Sequence, residues 1–388
     1  MSIDLTDVSI VDAHCHGLRV EDMLAGASTW ADNITLIGMC MASSATADDA
    51  LKAQVSQLTE STIFAQAGRR WLADFLGVDL AEVEEERRRR LETDAGSYLS
   101  SLIEDQNISD LLVDDGYPQP MVDPEGFGRL LGVRAHRVVR IEPIIDRLLP
   151  TVSGADELID AFMAELEATG PDSRVVGYKS VIAYRTGLDI TDPSVTEVRS
   201  GFEAWRDSGF QPGPLGKPVR DRLLHVTCRV AARQDRPVHI HSGAGDPDVV
   251  LARARPAGLA PVLATHPRTA VVLIHAGFPW VEEAAYLAGM YPNAHVELSL
   301  FSPWATLDLD RVFATVLGIV PTSKIMYGSD EASEPEVLWL SARLGRKALE
   351  RVLQAAVERD LLTESEARSA GEAVLGGNAA RLHGLSLA

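Results

Sequence analysis

Eight short, near-continuously apolar runs punctuate this chain, and their alternation with longer helical patterns limits what it can fold into. The runs are Val8–His14, Asp110–Asp114, Arg137–Glu142, Val175–Ile182, Pro237–His241, Ala270–His275, Ala294–Leu298 and Lys324–Asp330. They are rich in Val and Ile with little polar alternation, as strands covered on both faces must be. Between them lie segments of helical period. Residues 153–170 place Leu158, Ile159, Phe162, Met163 and Leu166 on one stripe, with Ser153 as a start signal and Gly170 as a stop. Residues 246–266, 278–292 and 336–362 read as further helices. Strand–helix alternation repeated eight times predicts an α/β fold, a (β/α)8 barrel, for which about 250 residues suffice.

At 388 residues the chain is read as one barrel domain, 1–388, whose surplus sits mainly in a helical insertion, 17–109, after the first strand. Within it, residues 82–90 mix acids and arginines. Glu84–Arg88, Glu85–Arg89 and Glu86–Arg90 stand four apart in the favourable order, so this face is expected to meet solvent or another subunit. The balance of 36 Lys and Arg against 56 Asp and Glu gives a net charge of −20. That argues against nucleic acid or an anionic membrane as partner, since both are bound by excess Lys and Arg. Three scattered cysteines, Cys15, Cys40 and Cys228, fit neither a disulfide framework nor a Cys-based zinc site. With no secretory signal pattern and no apolar stretch near the roughly 20 residues of a membrane span, the expectation is a cytoplasmic protein. Its partner would be a small-molecule substrate, and the insertion and long terminal helices suggest a homo-oligomer.

In a parallel barrel the C-terminal strand ends converge on one mouth. The first run leads into His14-Cys15-His16, the fifth ends in His239-Ile240-His241, the sixth in His275 and the eighth in Asp330, while the fourth carries Lys179. Five of the ten histidines thus stand at the ends of three strands. His14 and His16, two apart, would share a strand face and reach one ion. Imidazoles with a carboxylate suit Zn²⁺, and by ligand type Mn²⁺ or Fe²⁺. The expected metal ligands are His14, His16, His241 and Asp330, with His239 one layer deeper. Arg185, where the fourth strand opens, is a candidate clamp for a substrate carboxylate. Glu142, read as ending the third strand, is a second candidate for substrate contact; on that reading it shares a face with Arg140. Asp114 could also face the mouth, and Trp280 and Trp304 could line the pocket or pack in the core.

This constellation resembles the amidohydrolase superfamily. More closely, "YKSVIAYRTGL", "PVHIHSGAGD", "LIHAGFPWVEEAAYLAGMYPNAHVELS" and "YGSDEASEPEVLWLSARLGRKAL" look like its amidohydrolase-2 branch, related to plant nodulin-like proteins and to glutamine-synthetase-fused amidohydrolases. The likeness runs from about residue 8 to "GNAARLHGL". It implies a metal-dependent hydrolase cleaving an amide-type C–N bond of a small polar metabolite. A decarboxylase of a small carboxylic acid is the alternative, with uronate isomerisation and a non-catalytic role behind it. Asp330 would then be the general base. His275 would either bind a second metal or bond the oxyanion, and Lys179 would either bridge two metals as a carbamate or act as an anchor or proton donor. The branch is mostly mononuclear, which favours one ion.

Overall fold

A computed structural model describes residues 3–25, 29–41, 48–118, 121–332 and 334–386. All eight runs form strands: β1 Ile10–His16, β2 Ile108–Asp114, β3 Arg134–Arg140, β4 Val175–Ser180, β5 Val238–His241, β6 Val271–Ile274, β7 Ala294–Glu297 and β8 Ile325–Met326. They pair in parallel in the order β1 to β8. The ring closes where the Ala13 N–H donates to the Tyr327 carbonyl at 3.0 Å and the Asp330 N–H to the His14 carbonyl at 2.9 Å. The expected (β/α)8 barrel is the fold. Strands β1, β4, β5 and β6 are buried along their whole length, which explains their unbroken apolar character.

The barrel interior is a side-chain core. Val11, Ala13, Leu112, Val138, Val176, Val272, Ile274 and Met326 pack together inside, and Ala379 and Ala380 join them from the C-terminal helix Asn378–Leu382. At that lower level His239 Nε2 lies 2.8 Å from His383 Nε2, so His239 is spent on closing the barrel floor.

Several local expectations shift. The third strand stops at Arg140, and Ile141–Leu148 is a helix with Pro143 in its first turn, a position where a missing N–H costs nothing. The helix expected from 153 runs Ala155–Ala168 with Gly154 as its cap; Ser153 bonds Glu157 instead. Over 246–266 the single helix expected is broken into Leu251–Arg253, Pro256–Leu259 and Ala260–Thr265, as Pro256 and Pro261 require. Cys15 and Cys228 are buried free thiols, while the Cys40 side chain lies outside the described residues. No described helix is long and apolar enough to cross a membrane.

The insertion between β1 and β2 is helical: Val20–Ala25, Trp30–Ile34, Leu36–Met41, Asp49–Glu60, Ile63–Leu76 and Val83–Asp105. Residues 26–28 and 42–47 of it lie outside the described residues. Its charge run is not uniformly solvated. Glu86 pairs with Arg89 and Arg90, but Arg87 turns inward and is buried. Its guanidinium bonds Glu334 and reaches Glu336 Oε1 at 2.5 Å, an oxygen that also accepts from the Tyr98 hydroxyl at 2.6 Å. Asn33 Nδ2 donates to Glu334 as well, at 2.6 Å. The insertion is therefore bolted by buried charge to the segment that follows Asp330. Replacing Arg87 with Ala leaves two buried carboxylates without their cation, and a loss of about 3–5 kcal/mol in urea unfolding is expected. A variant within about 1 kcal/mol of the parent would show that Glu334 and Glu336 need no such partner.

Candidate metal centre

A slip in strand pairing aims the first two site residues. Across the β1–β2 pair Asp12 aligns with Leu111 and Cys15 with Val113, so β1 holds one extra residue in that interval. Val11 and Ala13 face the inner core and Cys15 the outer layer, while His14 and His16 both line the mouth. Such a bulge changes which residues point inward, a common device beside active sites. Asp12 steadies it, its Oδ1 accepting from the backbone N–H of His14 at 3.2 Å and of Ser329 at 3.0 Å.

The remaining strands end at the same level. His14 Nε2 lies 3.2 Å from Asp330 Oδ1 and 2.9 Å from Lys179 Nζ, and His16 Nε2 lies 3.6 Å from that Asp330 oxygen. Opposite, His275 Nε2 is 3.1 Å from His241 Nδ1, and His275 Nδ1 is 3.9 Å from Asp330 Oδ2. Below them Asp114 is clamped by Arg140, Nη2 to Oδ2 at 2.6 Å and Nε to Oδ1 at 2.9 Å, with Lys179 Nζ 3.7 Å away. Two sets of donor atoms each lie within 4.8 Å of one another: His14, His275 and Asp330, and His14, His16 and Asp114.

Burial drives the electrostatics. It lowers His14 to about 3, with the Lys179 charge adding to the effect, and His275 to about 4. His241 is pushed well down by burial and by His275. These imidazoles are therefore neutral near pH 7, the form that ligates metal. Asp114 and Asp330 behave oppositely. Burial opposes their charge, yet Arg140 and Lys179 hold Asp114 far below the carboxylate range, and His275, His14 and His16 do the same for Asp330. Lys179 is lowered by desolvation, against the attraction of Asp114. Finally, His241 Nε2 and His16 Nδ1 are buried without a hydrogen-bond partner among the described residues. Neutral imidazoles, an ionised carboxylate and unsatisfied buried nitrogens make a donor set that fits a divalent ion.

His14, His16, Lys179, Arg185, His241, His275 and Asp330 all border one cavity of about 570 Å³. Glu142 does not. Because the chain leaves β3 at Arg140, Glu142 falls in the first turn of the following helix, where it accepts from Ser180 Oγ at 2.8 Å and the Val181 N–H at 2.9 Å. It braces the end of β4, and Arg140 pairs with Asp114 rather than with it. Arg185 is exposed at the cavity rim. Asp246 borders the cavity and caps no helix; its N–H donates to the Tyr184 hydroxyl at 3.0 Å. Trp304 lines the cavity, whereas Trp280 sits under Arg255 outside it.

Other parts of the site carry weaker signals. The insertion supplies a roof through Asp32, Asn33, Leu36 and Met39, pinned where Trp304 Nε1 donates to the Ile34 carbonyl at 2.9 Å. Glu297, at the end of β7, and Ser299 underlie His275, and a carboxylate next to last in the seventh run was available as a clue. Glu297 fits only because residue 328 is glycine: a methyl there would stand 2.0 Å from its Oε1.

A family model described as Amidohydrolase matches residues 153–385, more than half of the chain. Among curated proteins, the chain is 29% identical over 337 residues to Protein fluG of Emericella nidulans, covering 79% of this chain and 39% of that protein. The chain thus spans well under half the length of this relative. Among solved structures it is similar to a candidate metal-dependent hydrolase from Lactobacillus casei ATCC 334, with TM-score 0.82 and 23% identity over 99% of this chain and 98% of the other. A uronate isomerase from Bacillus halodurans C-125 aligns with TM-score 0.66 and 16% identity over 98% and 94%. At these identities the structural likenesses concern the fold; it is the sequence match, together with the strand-end residues, that makes this chain a member of the amidohydrolase family.

Proposed function

We propose that this protein is a metal-dependent hydrolase that cleaves an amide-type C–N bond in a small, carboxylate-bearing metabolite. The observation that carries the reading is the gathering of His14, His16, His241 and an ionised Asp330 at one cavity, with His241 Nε2 buried and without a hydrogen-bond partner among the described residues. His14, His16, His241 and Asp330 would hold one divalent ion, Zn²⁺ being the first to test. Such an ion lowers the pKa of a water towards about 7 and polarises a substrate oxygen.

The chain's own groups supply the rest. Asp330, kept ionised by the imidazoles around it, accepts the proton of the attacking water and returns it to the leaving nitrogen. His275, neutral and with both ring nitrogens engaged by Ser299 and His241, fixes the His241 ring at the edge of the cavity. Lys179, fully desolvated 2.9 Å from His14 Nε2, holds a proton at the cavity floor. No described carboxylate pairs with Arg185, whose planar fork is free to take a substrate carboxylate.

Reconstitution followed by elemental analysis should find about one equivalent of metal, lost in the His14→Ala/His16→Ala double variant. No stoichiometric uptake of Zn²⁺, Mn²⁺ or Fe²⁺ would remove the reading. With a panel of carboxylate-bearing amides, amine release is expected; release of CO₂ from the parent acids instead would assign the same site to decarboxylation. Arg185→Met should raise KM roughly 10–100-fold for carboxylate substrates with a smaller change in kcat. An unchanged KM would place the anchor elsewhere. In metal-free protein, ¹⁵N spectra should show His14 and His275 still neutral at pH 5.5, a pH at which free histidine is mostly protonated. Protonation of either near pH 6.5 would mean that the mouth is wetter than its geometry implies.

A further inference from the structure

Hydrogen-bond direction along one buried chain of groups decides which nitrogen of His241 carries its proton. Glu297 and Ser299 are both fully buried beneath His275. Glu297 Oε1 accepts the Ser299 N–H at 2.5 Å, while its Oε2 lies 2.6 Å from Ser299 Oγ and 3.3 Å from the His275 N–H. Ser299 Oγ lies 2.9 Å from His275 Nδ1, and His275 Nε2 lies 3.1 Å from His241 Nδ1. Burial pushes the Glu297 carboxyl up to about 8, while the Ser299 hydroxyl and the N–H groups of His275 and Ser299 favour its charged form; as a carboxylate both its oxygens can only accept, so the single hydroxyl proton of Ser299 is committed to Oε2. Ser299 Oγ must then accept from His275, which places the His275 proton on Nδ1 and leaves Nε2 bare. That lone pair takes the Nδ1–H of His241, and His241 Nε2 is left as a lone pair. This is the buried nitrogen without a partner.

We propose that Glu297 and Ser299 are positioning residues that act through His275 to present His241 Nε2 as a lone pair to the cavity. The inference rests on the reading of His241 as a metal ligand. Read the other way, with a proton on Glu297, every donor reverses and His241 offers Nε2–H, which cannot ligate. The carboxyl at the end of β7 thereby sets the ligand state of a histidine two strands away. Gly328 completes the arrangement by leaving room for the Glu297 carboxylate, so the device draws on β5, β6, β7 and the segment after β8.

The test uses the full chain and Zn²⁺ alone. Competition with a chromophoric chelator should show Zn²⁺ affinity reduced roughly 10–100-fold in Ser299→Ala and in Glu297→Gln, and within about threefold of the parent in Ser299→Thr, which keeps the hydroxyl. Thermal unfolding of each metal-free variant checks that it folds. Independently of metal, ¹⁵N-histidine spectra of the chelator-treated parent at pH 9.5 should show His275 and His241 protonated on Nδ1, and Ser299→Ala should lose that preference. Nε2 protonation of His275 in the parent, or a folded Ser299→Ala with parental affinity and spectra, overturns the proposal. Failure of the parent to bind Zn²⁺ overturns the metal-site reading instead, and the spectra still decide the tautomer chain.

Discussion

Eight strands that end at one rim deliver ionisable side chains to a volume from which water is largely excluded, and everything above and below answers to that crowding. An unpaired buried charge is expensive, so charges there must come matched. Asp114 takes Arg140 in a two-pronged bond with Lys179 beyond it. Asp330 lies 3.2 Å from His14 Nε2 and 3.6 Å from His16 Nε2. His14 and His241 escape the cost by staying neutral, the form in which an imidazole can ligate a metal. Desolvation therefore does two jobs at once: it drives the cations and anions into fixed pairs, and it strips protons from the imidazoles.

Much of this was legible in the sequence because its physics is periodic. Strands covered on both faces have to be apolar throughout, so all eight stood out, and a polar residue closing an apolar run has few reasons to exist other than a site. That logic picked out His14, His16, His241, His275 and Asp330, with Lys179 singled out from within its run, and all six border one cavity. It failed where a local irregularity broke the period. "RVVRIEPIID" reads as one run through Glu142, yet Pro143 fits the first turn of a helix, and the turn carries Glu142 away from the mouth. The extra residue in β1 left no trace, since Val11, Ala13 and Cys15 are all small enough to face either way. Arg87 was hidden by its neighbours: nothing in a run of alternating charges shows which arginine will find two glutamates some 250 positions on.

The insertion shows how residues outside the strand–helix repeat shape the barrel mouth. Its helices roof the cavity with Asp32, Asn33, Leu36 and Met39, and one of them is tied through Arg87 to Glu334 and Glu336, just beyond Asp330. The roof and Asp330 are therefore parts of one connected body, and the space above the strand-end histidines is shaped by residues outside the repeating strand–helix pattern.

The bond from the Asp330 N–H to the His14 carbonyl joins residues near opposite ends of the chain. The family match begins at residue 153, so it takes in Asp330, His275, His241 and Lys179 but omits His14, His16, Asp114 and Arg140. Neither portion of the polypeptide holds a site by itself. Contacts spanning such sequence distances form late and slowly in folding, and here one such contact both closes the ring and brings Asp330 to its histidines. A nascent or truncated chain could thus possess nearly every strand and helix of the barrel while lacking any chemical competence, which ties the onset of activity to the completion of the ring.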